Sequence, residues 1–483
     1  MRLRRTGLAA VLFGLSLSAT AEDAPKLSPD LQPPVRLEAD GQPIDHGEAN
    51  GHAGPCIFDV DGDGKRDLVV GDFGGEFTLY KNVGTNERPR YESAGKLTAG
   101  DEPAKVWIYC CIGSSPQFAD LDGDGNSDLI SGSYDPGLCY WFPGNGDGTF
   151  QSRNDAEEQR LREKLEERYE GEILEYRLAI SNGAALRDRS GTAILRVPDQ
   201  QQVWQSFGSW PYPIDWDADG DLDLVIGGFG GSIHLRENLG TSTEFSFSET
   251  PMAIEAGGEP IGAEIGDAEP GSMHAAVVAA DWDGDGLFDL VSGFDDGSVR
   301  WFRNVGRKGG PKFAVTEMLV PPHDGSGYDH FLERGETPKP GIRTQVAVAD
   351  VNGDGKPDLL AGDFSTTYTT ADLNPEQEAE FKTARDRYLK AVADYRDLNL
   401  SMPDKQEEFE KQFPEEERLS DEVREKWQER YKELRETPEY VAAKEAYETS
   451  QKALEAYLEK PEHAESFDEY AARHGFVWLY LRK

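Results

Sequence analysis

Five short strings in this chain gather carboxylates at a spacing that suits a hard cation. They begin at Asp59 (DVDGDGKRDLVVG), Asp120 (DLDGDGNSDLISG), Asp215 (DWDADGDLDLVIG), Asp281 (DWDGDGLFDLVSG) and Asp350 (DVNGDGKPDLLAG). Each reads D-x-D/N-x-D-G-x-x-D, with side-chain oxygens at positions 1, 3, 5 and 9 and a glycine at position 6 that permits a tight loop. With the backbone carbonyl of position 7 and water added, this donor set suits Ca²⁺, which takes about six to eight oxygens. The ligand sets read this way are Asp59, Asp61, Asp63, Lys65 and Asp67; Asp120, Asp122, Asp124, Asn126 and Asp128; Asp215, Asp217, Asp219, Asp221 and Asp223; Asp281, Asp283, Asp285, Leu287 and Asp289; and Asp350, Asn352, Asp354, Lys356 and Asp358. Lys65, Asn126, Asp221, Leu287 and Lys356 enter as position 7, through the main chain. An EF-hand needs Glu at position 12, where this chain has Val70, Ser131, Ile226, Ser292 and Ala361, so that motif is excluded. Without a cation these loops would be solvated acidic turns that repel themselves.

A second set of residues points to recognition. Seven positions before the first loop Asp stand His52, His274 and Arg343 in three of the units, with Trp107, Tyr109, Trp210 and Tyr212 near the corresponding places of the others. The long segments between units also hold His46, His323 and His330, and His474 lies near the C-terminus. Cationic and imidazole groups among aromatics suit a sugar, a carboxylated glycan or a peptide carboxylate. The alternative is that they pack and hydrogen-bond within long loops. A catalytic reading is a lyase or hydrolase acting on a polysaccharide, with a transition metal on His52, His274 and the pair His323 and His330. No H-E-x-x-H, G-x-S-x-G, C-x-x-C-H or Gly-rich phosphate loop supports it, and binding is the favoured reading.

Repetition shows which elements must position these residues. The loops are 61, 95, 66 and 69 residues apart, the mark of a repeated supersecondary unit. A β-prone segment precedes each loop, and an apolar strand such as Leu68-Val69-Val70 follows it. Next come a Gly-rich turn and an alternating strand (Phe77 to Tyr80, Leu138 to Trp141, Ser232 to Leu235, Ser298 to Trp301), then an Asn/Gly turn. A fourth strand is expected near Tyr91, Phe150, Phe245 and Phe313. Four short strands with tight turns make a propeller blade. In the last unit the third strand is delayed until Phe476 to Leu481, and no fourth follows. Val35-Arg36-Leu37 lacks a blade of its own and leads into EADGQPI (38–44). That string echoes TAGDEPA (98–104) and EAGGEPI (255–261), which follow fourth strands. The N-terminal strand is thus expected to complete the last blade, which closes the ring and hides its edges. The expected architecture is all-β: a calcium-stapled propeller of five four-stranded blades over 34–370, with a last strand at 475–483.

Two acidic helical insertions interrupt it. Leu161, Leu165, Tyr169, Ile173 and Tyr176 keep a helical period over 155–178, inside an insertion of about 155–190. Residues 371–474, with 29 acidic and 17 basic side chains, read as a helical hairpin or small helical domain with a solvated charged face. Its helices open at Asn374-Pro375, Ser420 and Thr437-Pro438. This insertion offers a surface for a protein partner or for self-association. Residues 1–21 read as an export signal, with Arg2, Arg4 and Arg5, an apolar run from Leu8 to Leu17, and Ala19-Thr20-Ala21; a linker covers 22–33. A secreted or periplasmic location follows. No later apolar stretch approaches the ~18–20 residues of a membrane span. A formal charge of −41 excludes nucleic acid and anionic membranes as bulk-charge partners. The four cysteines leave open a vicinal Cys110–Cys111 bridge, longer pairings involving Cys56 and Cys139, or buried thiols.

The five loops, each followed by Asp-Leu-apolar-apolar-Gly, resemble the FG-GAP or VCBS repeats of integrin-α-like β-propellers, in a secreted bacterial type. The resemblance covers 34–154, 190–370 and 475–483. It implies loops that bind about five structural Ca²⁺ between the first and second strands of each blade, and a ligand face on the opposite side. Asn352 replaces an acid and implies a weaker fifth site; Ala218 replaces a glycine in the third. The function implied is a secreted calcium-binding module for a glycan or an extracellular protein.

Overall fold

The computed structural model describes residues 26–49, 51–106, 113–134, 137–152, 181–194, 208–262, 273–314, 316–323, 329–333, 335–414, 418, 420–461 and 466–483. The signal-like segment 1–21, the helix expected at 155–178, Trp107, Tyr109, Cys110 and Cys111 lie outside the described residues. The described chain is mostly β-sheet. Among these residues the strands form five sheets of four or more strands and two small ribbons.

The four-strand unit recurs as read, antiparallel throughout. The first sheet runs Gly54–Phe58, Asp67–Gly71, Phe77–Asn82 and Tyr91–Lys96. The second is Gln117–Ala119, Asp128–Gly132, Cys139–Phe142 and Ala184–Ala185. The third is Ser209–Ile214, Asp223–Gly228, Ile233–Arg236 and Met252–Ala253. The fourth is Ala276–Ala280, Asp289–Gly293, Val299–Phe302 and Glu317–Val320. In the fifth, Ile342–Ala349 pairs with Asp358–Thr369, which pairs with Val477–Tyr480, and Val35–Arg36 supplies the outermost strand.

Three of the expected outer strands begin elsewhere. Phe150, Phe247 and Phe313 make single bridges to Gly144, Asn238 and Asn304, and the paired outer strands start later, at Ala184, Met252 and Glu317. Each of these aromatics is buried and also bridges in parallel to a neighbouring segment, at Ala99, Asp188 and Ala256 respectively. Two of those partners sit in the echoing strings: Thr98–Ala99 with Glu102–Pro103, and Glu255–Ala256 with Glu259–Pro260, fold as ribbons. The third echo, Glu38–Ala39 with Gln42–Pro43, forms the same ribbon and bridges to Tyr91.

Period-2 alternation along each second strand decides how the sheets pack, because successive side chains leave on opposite faces. Leu68 and Val70 join a core with Leu360, Val477 and Leu479 of the fifth sheet, while Val69 joins Leu129 and Phe142 of the second. Ile130 meets Leu224 and Ile226; Val225 meets Val277 and Leu290; Val291 meets Leu359 and Trp478. Each sheet thus packs on the next, and the fifth packs on the first.

The helices lie between Asp358–Thr369 and the last strand. They are α1 (Pro375–Leu400), α2 (Met402–Glu410), α3 (Asp421–Arg435) and α4 (Pro438–Leu454). The Asn374 side chain accepts from the N–H groups of Glu376 and Gln377, and Gln377 returns a bond to the Asn374 N–H, so α1 starts on a capping box. Ser420 and Thr437 cap α3 and α4. Phe381, Tyr388, Leu454 and Phe467 pack on Tyr368, at the far end of the long strand Asp358–Thr369. That end also pairs with Asp329–Leu332 and Ala472–His474, two strands the sequence pattern did not announce.

Candidate functional site

The five acidic loops share one hydrogen-bond plan. At position 1, a carboxylate oxygen of Asp59, Asp120, Asp215, Asp281 or Asp350 accepts from the N–H of the position-6 glycine, at 2.9 to 3.4 Å. At position 3, Asp61, Asp122, Asp217, Asp283 and Asn352 accept from the N–H of Asp63, Asp124, Asp219, Asp285 and Asp354. Those position-5 carboxylates accept from the N–H groups of Lys65, Asn126, Asp221, Leu287 and Lys356. At positions 3 and 5 these backbone turns use one side-chain oxygen, whereas Asp281 and Asp350 at position 1 accept through both.

Position 9 has a different task. Asp67, Asp128, Asp223, Asp289 and Asp358 are buried at 0–1% exposure, and each spans two backbone amides. One oxygen accepts from position 2 of the loop (Val60, Leu121, Trp216, Trp282, Val351). The other accepts from the end of the third strand (Asn82, Gly144, Asn238, Asn304, Arg482). Burial pushes all five pKa values up, to about 6 for Asp128 and about 7 for Asp223, and neighbouring loop carboxylates push the same way.

These residues fit a calcium ion. In four loops three acids bring ligand oxygens within 4.8 Å of one another: Asp59, Asp61 and Asp67; Asp120, Asp122 and Asp128; Asp215, Asp217 and Asp219; Asp281, Asp283 and Asp285. Asn352 leaves the fifth without such a triple among the described residues. Buried oxygens Asp59 Oδ1, Asp120 Oδ1 and Asp221 Oδ1 accept no hydrogen bond, a costly state that a cation would relieve. A cavity of about 200 Å³ between the first two loops, lined in part by Asp59, Asn126, Phe58 and Phe118, is smaller than the ~300–1,000 Å³ of small-molecule sites.

His52, His274 and Arg343 come together, and they share an unusual backbone. Their φ angles are +63°, +60° and +54°, the left-handed region that glycine adopts without strain. Gly113 and Gly208 hold the equivalent positions in the second and third sheets. Arg343 Nη1 lies 3.2 Å from His52 Nε2. A guanidinium only donates, so His52 accepts on Nε2 and is the neutral Nδ1–H tautomer. His52 stacks between Phe73 and Phe364, with centroids at 5.3 and 4.4 Å, and Arg343 lies over Phe364 at 5.3 Å. A Cβ on Gly113 would sit 3.1 Å from the Asp72 carbonyl carbon and 3.2 Å from His52 Cβ, so the glycine lets the chain pass close to both. His274 packs on Phe229 and near Trp210, and its buried Nδ1 makes no hydrogen bond among the described residues. Burial, then the charge of Arg343, holds its pKa well below the usual histidine value. His52 and His274 are 2% and 6% exposed, so the partly exposed Arg343 is the member that reaches solvent. Tyr212 is elsewhere: its hydroxyl donates to Ala279 O at 2.9 Å, inside the sheet packing.

The other histidines named from the sequence meet partners that local spacing does not announce. His474 Nδ1 is 2.7 Å from Asp45 Oδ2, and its Nε2 is 2.9 Å from Thr367 Oγ1. Burial works to raise Asp45, yet His474 and the N–H groups of Gly475 and Gly47 hold it below the usual carboxylate range. His46 bonds the Tyr80 hydroxyl at 3.1 Å and faces Asp72, which also pairs with Lys96 at 2.6 Å. His323 and His330 meet with ring centroids 4.4 Å apart. Cys56 and Cys139 are free, buried thiols, raised to about 12 by burial, so neither takes part in a disulfide.

Residues 281–361, the fourth loop through the fifth, match the model of the FG-GAP-like repeat. No curated protein matches the chain. Among solved structures, the chain is similar to BBS1N in complex with ARL6DN from a mercury-soaked crystal, at 11% identity and a TM-score of 0.28, over 68% of this chain and 80% of that one. For the lead-soaked crystal of the same complex the values are 14%, 0.27, 68% and 94%. Among the described residues no helix is long and apolar enough to cross a membrane.

Proposed function

We propose that this protein is an exported, calcium-stapled β-propeller of five blades that binds a glycan or a protein ligand through a carboxylate, at the face opposite the acidic loops. The loops bring first and second strands together, and Ca²⁺ held by their Asp side chains neutralises the crowded carboxylates. Calcium here holds the fold and takes no part in recognition.

One observation carries the binding reading: three non-glycine residues, His52, His274 and Arg343, hold a left-handed backbone where the third repeat has the left-handed Gly208. Such strain persists where the side chain is needed. His52 and His274 precede the first strand of their sheets and Arg343 is the second residue of its own, whereas the acidic loop follows that strand. Seven residues at ~3.3 Å each separate the two features by about 20 Å. Arg343, supported by His52 and Phe364, is a fixed cation at that end, suited to a carboxylate. Binding of uronate-containing oligosaccharides and of peptides with a free C-terminus tests this. Wild-type protein should bind one of these classes and Arg343→Gly should not; equal binding by both proteins would refute the assignment.

A hydrolytic reading has the Asp45–His474–Thr367 line in its favour. Thr367 is only 3% exposed, which keeps a substrate from its hydroxyl. Binding is therefore the better account.

A further inference from the structure

The five loops are not electrically equivalent, and the difference lies in residues outside the repeated string. The residue just before the third-strand amide that binds position 9 is Lys81 in the first repeat and Arg303 in the fourth. At the same place the second, third and fifth have Pro143, Glu237 and Leu481. Lys81 Nζ pairs with Asp61 Oδ2 and lies 3.6 Å from Asp63 Oδ2. Arg303 Nε lies 2.6 Å from Asp283 Oδ2, with Nη2 3.9 Å from Asp285 Oδ2. In both repeats the side chain takes the outward oxygens of positions 3 and 5, those the turn leaves over. Among the described residues no basic side chain pairs with an Asp of the second, third or fifth loop.

The third loop departs in the opposite direction. Its position 7 is Asp221, where the others have Lys65, Asn126, Leu287 and Lys356, giving five carboxylates in nine residues. Asp221 is 6% exposed, and its buried Oδ1 has no hydrogen-bond partner. A buried, unpartnered carboxylate oxygen beside Asp215, Asp217 and Asp219 is a donor in want of a cation.

We infer that calcium fills these loops in a fixed order: the third binds tightest through Asp221, and the first and fourth bind more weakly than their carboxylates alone would allow because Lys81 and Arg303 compete for the same oxygens. The inference rests on the calcium reading proposed above. A cation within ~4 Å of two ligand oxygens opposes a second cation strongly enough to lower affinity about tenfold or more. The order gives the protein a graded response, with one loop closed at low calcium and two left for higher concentrations.

Calorimetric titration of Ca²⁺ into the full mature chain tests this, with Lys81→Gln/Arg303→Gln and Asp221→Asn variants. Wild-type protein should show at least two affinity classes. Lys81→Gln/Arg303→Gln should move two sites at least tenfold tighter at unchanged total stoichiometry. Asp221→Asn should weaken the tightest step while leaving its number of sites. Circular dichroism confirms that each variant folds, and Lys81→Met with Arg303→Met repeats the test with apolar stems retained. Superimposable isotherms for wild type and the double variant would overturn the order while leaving calcium binding intact. Absence of any binding heat or bound metal in wild type would overturn the calcium reading itself.

Discussion

Val35 stands opposite Leu479 in antiparallel register, so residues near the two ends of the described chain complete one sheet. Beside them the Trp478 indole donates to Asp363 Oδ2 at 2.7 Å, and Phe476 N–H and Gly341 N–H bind the same carboxylate. The final segment thus joins the fifth sheet through side chain and backbone at once. Trp478 is 5% exposed and packs on Val291 and Leu359. Trp478→Ala should lower unfolding free energy by about 3–5 kcal/mol through lost burial and cavity formation. Denaturant titration gives the value; a loss below about 1 kcal/mol would mean the last strand does not close the fold.

Position 9 and position 5 of an acidic loop separate structural from ionic roles. Asp289 satisfies two buried amides, those of Trp282 and Asn304, whereas Asp285 serves one exposed turn. Asp289→Ala should cost roughly 2–5 kcal/mol with or without calcium, since two donors lose their acceptor. Asp285→Ala should cost little in chelator and lose much of the stabilisation that added calcium gives wild type. Melting temperatures of both variants in chelator and in saturating calcium distinguish the two roles.

The acidic loops and the strands around them were legible because each repeat restates the others: Asp at position 9, the apolar triplet and the echoing EADGQPI-type ribbons recur at matching places. The completion of the fifth sheet by Val35–Arg36 was legible for the same reason, as a strand missing at one end and surplus at the other. The outer strands were misplaced because Phe150 and Phe313 look like strand starts, yet pair with a turn and a neighbouring ribbon before the ladder resumes. The grouping of His52, His274 and Arg343 showed in their common offset from the loops; their left-handed backbone did not, since three non-glycine side chains hide the signal that Gly208 displays. Asp45, Thr367 and His474 meet only through the long strand beyond Asp358, and no local spacing announces a contact 429 positions apart.

Asp295 gives the protein a pH dependence of unusual sign. Burial lifts its pKa to about 7, helped by Asp296 and opposed by Arg343. An unfolded Asp titrates near ~3.9. Below that value both states are protonated and the contribution is complete. As pH rises toward 7 the unfolded chain ionises first, so stability falls across this window. Asp363, also raised to about 7, adds to the same slope. In saturating calcium, Asp295→Asn should reduce the loss between pH 4.5 and 7 by on the order of a few kcal/mol. Parallel stability profiles for the two proteins would exclude this role.

The left-handed backbone at Arg343 makes substitutions there follow conformation before chemistry. Arg343→Gly relieves a strain of about 1–2 kcal/mol, which offsets the lost packing on Phe364. Its stability should stay within about 1 kcal/mol of wild type. Arg343→Val, β-branched at a φ of +54°, should lose about 2 kcal/mol or more. If glycine destabilises as much as valine, packing and not strain governs this position, and the argument that the side chain is kept for a ligand fails.

Elemental analysis of the purified mature protein, dialysed exhaustively against metal-free buffer and then re-equilibrated with calcium, tests the central claim most directly. Four to five Ca²⁺ per chain and no stoichiometric transition metal is the predicted result. Far fewer than four would contradict the loop assignment on which the stapled propeller rests. One equivalent of zinc, iron or copper would move the function to a metal-assisted reaction at the histidine-bearing end.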